Sequence, residues 1–462
     1  MTFQYGKAFP ATDRNDQGRV AVFGSNGIVG FCETALAEEP AIIIGRKGSA
    51  GALNLCNGPS WTTDVAYFLI SPVFFDIRFL YIALQVLDLG SLGKGVKPGL
   101  SRSEAYQLPI VIPPLAEQHR IVAKVDELMA LCDHLQAEHN KREARRDLLV
   151  ASSLNRISTT TAEEAKNATR FHLNHLPRLT TRTEHIKQLR QTILNLAVRG
   201  RLVPQDSNDE PAAELLKRIQ VEKARLGVTQ RRYGATKGKK GVDFLCGVAA
   251  LRGIEFDLPS WEWVMLNNLS KLVTSGSRGW AEFYSDTGPK FIRAQNIRFG
   301  KLHINNLACV DPPQNTEGAR TLVSKGDLLI VITGAGVTNP ALLDEDLGET
   351  YVSQHVALIK PTKTDLSRWL LLCLMAPDGG RSELVECAYG SGKPGLNLDN
   401  IRLLKIPLPP LAEQHRIVAK VDELMALCDQ LETQLTTTEA DSRRLLEAVL
   451  RDALNPVIKE AA

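Results

Sequence analysis

Several features that mark whole classes of protein are missing from this sequence. No apolar run in its 462 residues approaches membrane-spanning length, and its first residues do not show the basic-then-apolar pattern of a secretory signal. Its eight cysteines are scattered, with no CxxC pair and no spacing that would group metal ligands. The net charge of +3 says little about binding partners, because a small total charge can hide basic patches. We therefore expect two to four domains and a reducing cytoplasm as the setting.

Motifs that would indicate an enzyme are also missing. Residues 390–395 satisfy G-x-G-x-x-G, but no predicted strand-to-helix unit surrounds them, and the proline at 394 would interrupt a nucleotide-binding helix. The same stretch fails as a Walker A loop, because Cys387 occupies the first glycine position. Residues 310–314 superficially resemble an amino-methyltransferase motif but lack the aromatic residue that would stack a flipped base. We therefore predict no catalytic residues, no cofactor-binding residues and no metal ligands.

What the sequence does contain is a long exact repeat. Residues 113–133 read PPLAEQHRIVAKVDELMALCD, and residues 409–429, which begin 296 positions later, read the same. The paired prolines suit an extended entry into the first turn of a helix. Apolar residues then recur at spacings of four and three, which predicts a long helix with an a/d seam. The seam is Ile121, Val125, Leu128, Cys132 and Leu135 in the first copy, and Ile417, Val421, Leu424, Cys428, Leu431 and Leu435 in the second.

The polar positions of the two copies are identical too, which packing alone does not require. Two explanations stay open: recent gene duplication, or the presentation of one surface to two copies of one partner. The first helix is predicted over Leu115–Val150, a length of about 54 Å at about 1.5 Å per residue.

The duplication extends beyond the helix. Similar short stretches occur in the same order before each copy of the helix. They are Gly6 and Gly276, Asn26 and Asn296, Ile42–Gly51 and Leu329–Gly336, Thr63–Ala66 and Gln354–Ala357, and Lys97–Leu100 and Lys393–Leu396. Residues 1–108 and 259–404, here called head one and head two, are therefore predicted to be two diverged α/β versions of one fold, each attached to an identical helix.

The region between the heads is predicted to be mainly helical. Residues 158–169 are rich in Thr and Ala and indicate a linker, and residues 183–227 show the apolar spacing of two helices, the second opened by Pro211. A basic run follows and is interpreted as a solvated flexible loop; it contains Arg231, Arg232, Lys237, Lys239 and Lys240.

These motifs resemble the specificity subunit of type I restriction–modification systems. The repeat, the GKPGLN turn before its second copy and the stretch Ile193–Ile219 are similar to the conserved regions of that family. The segments FIRAQNI (Phe291–Ile297) and KGDLLI (Lys325–Ile330) are similar to its target-recognition domains.

The resemblance implies a non-catalytic protein that binds double-stranded DNA, with two target-recognition domains that each read half of a split sequence. It implies long helices that pair as an antiparallel coiled-coil spacer. The implied partners are two methyltransferase subunits and, through the complex, endonuclease/translocase subunits, which use S-adenosylmethionine and ATP. The implied division is a first recognition domain at 1–108, a helical region at 109–250, a second recognition domain at 251–404 and a second helical region at 405–462.

The start of head one departs from this family pattern. Head two opens with Pro259, 17 residues before Gly276, whereas only five residues precede Gly6. We therefore expect head one to lack about a dozen residues of an opening strand.

Candidate DNA contacts are side chains that read base edges or bind phosphate and that follow predicted strands or turns. In head one they are Lys7, Arg14, Ser25, Asn26, Arg46, Lys47, Ser49 and Lys97. In head two they are Arg278, Arg293, Gln295, Asn296, Arg298, Gln354, His355 and Lys393. The two lysines before the repeated helix, Lys97 and Lys393, suit phosphate rather than base contact, and Asn26 and Asn296 also fit structural turn positions.

Two other function classes stay open from the sequence. A non-enzymatic adaptor would use the two heads to bind protein, and salt-sensitive, sequence-dependent binding to duplex DNA would separate it from a DNA reader. A fused methyltransferase and recognition protein would need the cofactor motifs that the sequence lacks.

Overall fold

A computed structural model describes residues 2–93, 99–228, 258–313, 316–388 and 395–454. The chain forms two compact units, Met1–Glu143 and Ala144–Ala462. The basic run at 231–240 and the candidate residues Lys97 and Lys393 lie outside the described residues. The division into four segments stays a prediction.

Unit 1 contains head one and the first part of a long helix. Its strands are β1 (Gln4–Tyr5), β2 (Val20–Gly24), β3 (Gly27–Cys32), β4 (Ala41–Gly45), β5 (Leu53–Cys56), β6 (Ser60–Thr62) and β7 (Ala66–Ile70). Its helices are α1 (Ile77–Val86), α2 (Arg102–Ala105) and α3 (Leu115–Thr159), the last of which continues into unit 2.

Unit 2 contains the central helices, head two and the second long helix. Its strands are β8 (Glu262–Met265), β9 (Ser270–Ser275), β10 (Tyr284–Ile292), β11 (Ile297–Arg298), β12 (Lys301–Leu302), β13 (Ala308–Val310), β14 (Leu328–Val331), β15 (Pro340–Leu342), β16 (Thr350–Val352), β17 (Val356–Pro361) and β18 (Lys405–Leu408). Its further helices are α4 (Ala162–Asn174), α5 (Leu176–Leu179), α6 (Thr183–Val198), α7 (Ala212–Arg225), α8 (Leu266–Leu269), α9 (Thr316–Thr321), α10 (Ser367–Met375), α11 (Arg381–Cys387), α12 (Leu398–Arg402) and α13 (Leu411–Leu454).

The two heads share one sheet topology. Head one has an antiparallel sheet in the order β1-β7-β4-β5, and head two has β9-β17-β14-β15. Each head also has a three-stranded sheet, β3-β2-β6 and β13-β10-β16, in which one pair of strands is parallel. The central strand β4 reads AIIIG and is buried along its whole length, as an apolar run between two neighbouring strands requires. The predicted mixed α/β fold with two similar heads is confirmed.

The hydrogen bonds correct the predicted register between the heads. Gly6 donates its N–H to the carbonyl of Ala66, and Gly276 donates to the carbonyl of Val356. Ala66 is therefore equivalent to Val356, 290 positions later, and not to Ala357 as the sequence pairing predicts. A shift of one residue exchanges the two faces of a strand, so the matching of polar residues between the heads changes with it.

In helix α1 the local sequence determines both where the helix begins and which face is buried. The carboxylate of Asp76 accepts hydrogen bonds from the N–H groups of Arg78 and Phe79, both at 2.9 Å, and so caps the first turn. Phe79, Leu80 and Leu84 then recur on one face and are buried in the core of head one.

One predicted linker is a helix instead. Residues 158–169 were expected to connect elements, but α3 continues to Thr159 and α4 covers 162–174. Ala168 of α4 is buried against Leu154 and Ile157 of α3, and His172 of the same helix is buried as well. The Thr- and Ala-rich sequence gives a weak local signal, and this tertiary contact selects the helix.

The central helices agree with the sequence. Helix α6 ends at Val198 before Arg199-Gly200, and α7 begins directly after Pro211. No helix in the described part of the chain is both long enough and apolar enough to span a membrane.

Candidate nucleic-acid interface

In head one, the connection between β6 and β7 draws several candidate residues together. The carbonyl of Thr62 accepts from the N–H of Lys7 at 2.9 Å, and the carbonyl of Val65 accepts from Arg46 and Lys47 at 2.9 and 3.1 Å. Lys7 and Lys47 are exposed, so their ammonium groups are accessible on this surface. The structure thus gathers Lys7, Arg46 and Lys47 at one loop.

The tip of the β2–β3 hairpin lies beside the same place. Gly45 is approached so closely by the backbone carbonyls of Ser25 and Ser49 that a Cβ there would overlap both. Ser25 and Ser49 therefore border the turn that carries Arg46, and Asn26 follows at the exposed hairpin tip. A strand-end turn and a hairpin tip together form a polar surface of backbone and side-chain hydrogen-bonding groups.

Arg14 does not belong to this group. Its guanidinium donates to the carbonyl of Phe9 at 2.7 Å, and its Cβ lies against Gly30 of β3. Its Nε is buried without a hydrogen-bond partner among the described residues. Arg14 therefore makes structural contacts within head one, to the loop that contains Phe9 and to β3.

Head two gathers its candidates at the equivalent β16–β17 connection. Ser277 donates its N–H to the carbonyl of Val352 at 2.8 Å, and Gln354 donates back to Ser277 at 2.9 Å. Ser353 donates to Ile292, which places Arg293 at the same loop. Arg278, Gln354 and His355 are exposed, and Arg293 is half-buried.

His355 is held by a neighbour that the sequence did not suggest. Its Nδ1 lies 2.5 Å from the hydroxyl of Thr333. Its carbonyl accepts a hydrogen bond from the N–H of Ile332, the residue before Thr333. Its Nε2 lies 3.5 Å from the amide nitrogen of Gln354. Two groups capable of reading base edges are therefore adjacent and oriented.

Three candidates of head two lie further along the chain. Gln295 and Asn296 belong to a short 3-10 helix at Ala294–Asn296, and Arg298 lies on β11. Gln295 and Arg298 are exposed. They adjoin Arg293 in sequence but make no contact that joins them to Gln354 or His355 within the described residues.

Asn296 has the structural role that its turn position also suggested. It is 4% exposed, and its Oδ1 accepts from the N–H of Arg293 at 3.0 Å. Its Nδ2 donates to the carbonyls of His303 and Asn306. Asn26 is exposed instead, so the two asparagines do not share one role.

Aromatic rings flank the arginines of both heads. In head one the guanidinium of Arg102 lies 4.1 Å from the ring centre of Tyr5, and that of Arg46 lies 5.0 Å from the same ring. Burial raises the pKa of the neighbouring Tyr67, with Tyr5 adding to the rise. In head two Arg293 lies 5.9 Å from the ring centre of Tyr284. Arg102 and Tyr5 were missed from the sequence, because a cation–π contact between residues 97 apart leaves no local pattern.

Equivalent positions in the two heads carry different side chains on the same backbone frame. Lys7 and Ser277 occupy one position, because their N–H groups bond to equivalent carbonyls. Lys47 and Thr333 occupy another, since each bridges to the glycine that begins the next segment, Gly99 and Gly395 respectively. The corrected register also pairs Asp64 with Gln354. Asp64 and Thr333 were not among the predicted contact residues. Asp64 was missed because the predicted pairing of the two heads was shifted by one residue and matched Gln354 with Thr63.

The seam of the repeated helix is covered in one copy and exposed in the other. In α13, Ile417, Val421 and Cys428 are buried in the core of unit 2, next to residues of α6. In α3, Leu128 and Leu135 are 49% and 59% exposed. The two identical copies therefore do not offer the same face.

The specificity family is indicated by direct comparison. The family model of the type I restriction modification DNA specificity domain matches residues 2–143 and 309–438, which include head one, residues 309–404 of head two and both copies of the repeat. The chain belongs to this family.

Its sequence is 30% identical over 361 residues to the type I restriction enzyme EcoAI specificity subunit of Escherichia coli, covering 75% of this chain and 58% of that protein. It is 28% identical over 446 residues to the EcoEI specificity subunit of the same species, covering 90% of this chain and 70% of the relative. A crystal structure of an HsdS subunit from Thermoanaerobacter tengcongensis matches with a TM-score of 0.40 at 20% identity, over 90% of this chain and 81% of that one. The chain thus spans 58% of the length of its EcoAI relative.

Among the described residues, no group of three or more His, Cys, Asp and Glu side chains is placed to hold a metal ion. The Ser-, Gln- and Arg-bearing loops of both heads are a surface for hydrogen bonding.

Proposed function

We propose that this chain is the DNA-reading subunit of a type I restriction–modification complex and that each head reads one half of a split duplex target. One observation carries the proposal: the two heads hold the same loops with the same backbone hydrogen bonds but place different polar side chains at equivalent positions. Reading different base pairs from a constant frame requires this difference.

The paired positions supply different hydrogen-bonding chemistry. The amide of Gln354 offers a donor and an acceptor, which suits adenine, whereas the carboxylate of Asp64 offers acceptors only, which suits the amino group of cytosine. Lys47 and Thr333 also differ in hydrogen-bonding chemistry: the lysine ammonium is a cationic donor, whereas the threonine hydroxyl can donate and accept. We infer that the two half-sites have different sequences.

The chain itself carries out no chemistry in this proposal. Two methyltransferase subunits bind it, endonuclease and translocase subunits join through the complex, and these partners use S-adenosylmethionine and ATP. The long helices, paired antiparallel as a spacer, fix the gap between the half-sites, and the setting is the cytoplasm. Support comes from family membership and from the length of α3 and α13, 45 and 44 residues.

The test is methylation sequencing of a host that carries the complete system. Replacing residues 259–404 with the equivalent region of a relative is expected to change one half of the methylated motif and leave the other half unchanged. As the matched control, inserting helical turns between Leu135 and Thr183 is expected to alter the gap and preserve both half-sites. A swap that changes both half-sites, or neither, contradicts the assignment of one half-site to each head.

Binding measurements separate this proposal from a protein-binding adaptor. The assembled complex is expected to bind duplex DNA with a sequence preference and with an affinity that falls as salt rises. Binding that ignores both sequence and salt would favour the adaptor.

A further inference from the structure

The hairpins β4–β5 of head one and β14–β15 of head two are closed by similar glycine-containing turns. Residues 46–51 form turn one, and residues 332–338 form turn two. Gly45, just before turn one, donates its N–H to the carbonyl of Ala52 at 2.7 Å, and Val331, just before turn two, donates to that of Asn339 at 3.0 Å. The two turns therefore begin and end at equivalent residues although their sequences differ.

The backbone of both turns has positive φ angles at equivalent places. Gly48 and Gly334, each the third residue after its strand, have φ angles of 85° and 89°. The last residues of the turns, Gly51 and Thr338, have φ angles of 81° and 71°. A positive φ is a genuine outlier for a β-branched residue. Thr338 is 2% exposed and its carbonyl accepts from the guanidinium of Arg381, so packing holds turn two in the shape that glycine adopts readily in turn one.

This backbone shape creates a cluster of N–H groups. A positive φ followed by a negative one brings successive N–H groups to one side of the chain, in a concave arrangement that binds anions. Gly48 and Gly334 are each followed by a residue whose φ is not positive. Two consecutive N–H groups in each turn donate no hydrogen bond within the described residues. They belong to Ser49 and Ala50 in turn one, and to Ala335 and Gly336 in turn two.

A neutral side-chain donor lies beside each turn. A Cβ at Gly48 would lie 3.8 Å from the hydroxyl oxygen of Ser25, and one at Gly336 would lie 3.0 Å from the side-chain nitrogen of Asn339. Nothing lies within 4 Å of a Cβ position at Gly334. Among the described residues, no carboxylate oxygen lies within that distance of the three positions. Both turns thus offer hydrogen-bond donors without a competing anion of their own.

We propose that turn one and turn two each bind one phosphate of the DNA backbone through their unpaired N–H groups. The inference rests on the proposed function, because its ligand is duplex DNA. The position of turn two favours a phosphodiester: Thr333 belongs to this turn, and its hydroxyl lies 2.5 Å from Nδ1 of His355, a group that can reach a base edge.

The turns have a different task from the side chains around them. Backbone contacts to phosphate fix the position of a protein on the duplex but carry no sequence information. The side chains at the second position of the turns differ, as Lys47 and Thr333, whereas the unpaired N–H groups are present in both. The turns therefore set the position of each head on the duplex, and the differing side chains read different bases.

The test replaces a single N–H by an oxygen atom. Incorporation of lactic acid in place of Ala50 or Ala335 turns the amide into an ester, which keeps the methyl side chain and removes the donor. The full chain, in complex with its methyltransferase subunits, is titrated by fluorescence anisotropy with a duplex that carries the motif found by methylation sequencing. Each ester is expected to weaken binding about tenfold, because a hydrogen bond to a charged group is lost.

The control is lactic acid in place of Ala162, the first residue of α4. Ala162 is exposed and lies outside both heads, and its N–H donates no hydrogen bond within the described residues. No change in affinity is expected there. The urea unfolding midpoints of all three ester variants should match that of the unmodified chain, which separates a lost contact from a damaged fold.

An amide contact to phosphate differs from other contacts in its salt and sequence dependence. An uncharged donor displaces no counterion, so the slope of log affinity against log salt should stay unchanged in the ester variants. Their preference for the motif over a scrambled duplex should also stay unchanged. A shallower slope would indicate a lost cationic contact and an altered preference a lost base contact, and either result would contradict the proposal.

Methylphosphonate substitution, which removes the charge of one DNA linkage at a time, locates the phosphates. One linkage in each half-site is expected to be sensitive in the unmodified complex. The ester at Ala50 should abolish the sensitivity in one half-site only, and the ester at Ala335 should abolish it in the other. Esters that bind as tightly as the unmodified chain, or that leave every linkage as sensitive as before, would overturn the proposal.

Two further outcomes separate the possible causes of failure. Binding of inorganic phosphate that the esters abolish, with no coupling to any DNA linkage, would identify free phosphate as the ligand and overturn the assignment to DNA. Sequence-specific duplex binding without coupling would overturn this inference alone. If the unmodified complex shows no sequence preference on duplex DNA, the proposed function fails and the inference fails with it.

Discussion

Arg78 of α1 and Asp126 of α3 form a bidentate ion pair, with N–O distances of 2.6 and 2.7 Å. The equivalent residues of the second half, Arg368 of α10 and Asp422 of α13, form the same pair at 3.2 Å. Each head thus forms one arginine–aspartate ion pair with its own copy of the repeated helix.

We expect this pair to contribute little to stability, because Arg78 and Asp126 are 53% and 43% exposed. A double-mutant cycle with Arg78→Ala and Asp126→Ala should give a coupling free energy of about 0.2–1 kcal/mol in denaturant unfolding. A coupling well above that range would show that solvent does not screen the pair.

Gly6, directly after β1, and Gly276, directly after β9, let the chain pass close to the backbone of the β6–β7 and β16–β17 connections. A Cβ at Gly6 would overlap the carbonyls of Thr62 and Thr63, and one at Gly276 would overlap those of Val352 and Ser353. Alanine at either site is expected to lower the free energy of unfolding by about 1–3 kcal/mol. Gly58→Ala is the control, since nothing lies within 4 Å of its Cβ position, and an equal loss there would contradict the explanation.

Glu413 and Glu117 test how much surroundings matter at one position of an identical sequence. Burial raises the pKa of Glu413, which accepts the indole N–H of Trp261. Glu413→Ala removes the acceptor of that buried hydrogen bond and is expected to lower the free energy of unfolding by about 1–3 kcal/mol. Glu117→Ala, at the exposed copy, is expected to change stability by less than about 0.5 kcal/mol. Chemical denaturation of both variants checks the contrast.

His172 makes the packing of α4 sensitive to acid. The residue is 2% exposed, its Nδ1 lies 2.8 Å from the hydroxyl of Ser153, and burial lowers its pKa, with the nearby His185 adding to the shift. A lowered folded-state pKa means that the unfolded chain binds the proton more readily. Stability is therefore complete above the unfolded value of about 6.5 and is lost as pH falls from there through the folded pKa.

Hydrogen exchange of α4 amides across this range is expected to accelerate as pH falls, after correction for the intrinsic exchange rate. The variant His172→Gln, which keeps a hydrogen-bonding group without the titration, should remove this dependence. His185 is bound to Asp147, and hydrogen bonds from Arg182 and His185 lower the pKa of that carboxylate. If His172→Gln keeps the full pH dependence, another group is responsible.

Asp64 and Gln354 provide a matched pair for base reading. Each is the exposed second residue of the connection between equivalent strands. Gln354→Ala is expected to weaken discrimination at one position of one half-site, by about 1–3 kcal/mol if the contact is bidentate. Asp64→Ala should do the same in the other half-site only. Relative affinities for duplexes with single base substitutions check both, and effects in the same half-site would contradict the equivalence.

Three further substitutions extend the comparison within head two. Arg293→Ala or Gln295→Ala is expected to relax a single position, whereas Lys393→Ala should weaken all sequences alike and make the salt dependence shallower, as removal of a phosphate contact does.

The sequence by itself determined the modular plan. An exact 21-residue repeat, an a/d apolar spacing and paired glycines were enough to predict two related α/β heads and two long helices. These signals are local or compare one stretch with another, so they need no knowledge of three-dimensional contacts. The helices at 183–198 and 212–225 and the buried strand at Ala41–Gly45 were found in the same way.

Tertiary structure decided the features for which the local sequence signal is weak or the two sequences are identical. Residues 162–174 are helical because Ala168 and His172 find a buried site against α3, which their composition does not reveal. Backbone hydrogen bonds set the register of the two heads and moved the partner of Asp64 to Gln354. Cys132 and Cys428 occupy the same position of the repeat, yet Cys132 is exposed and Cys428 is buried in the core of unit 2, which includes residues of α6. Burial depends on the neighbouring residues, and the identity of the residue itself does not determine it.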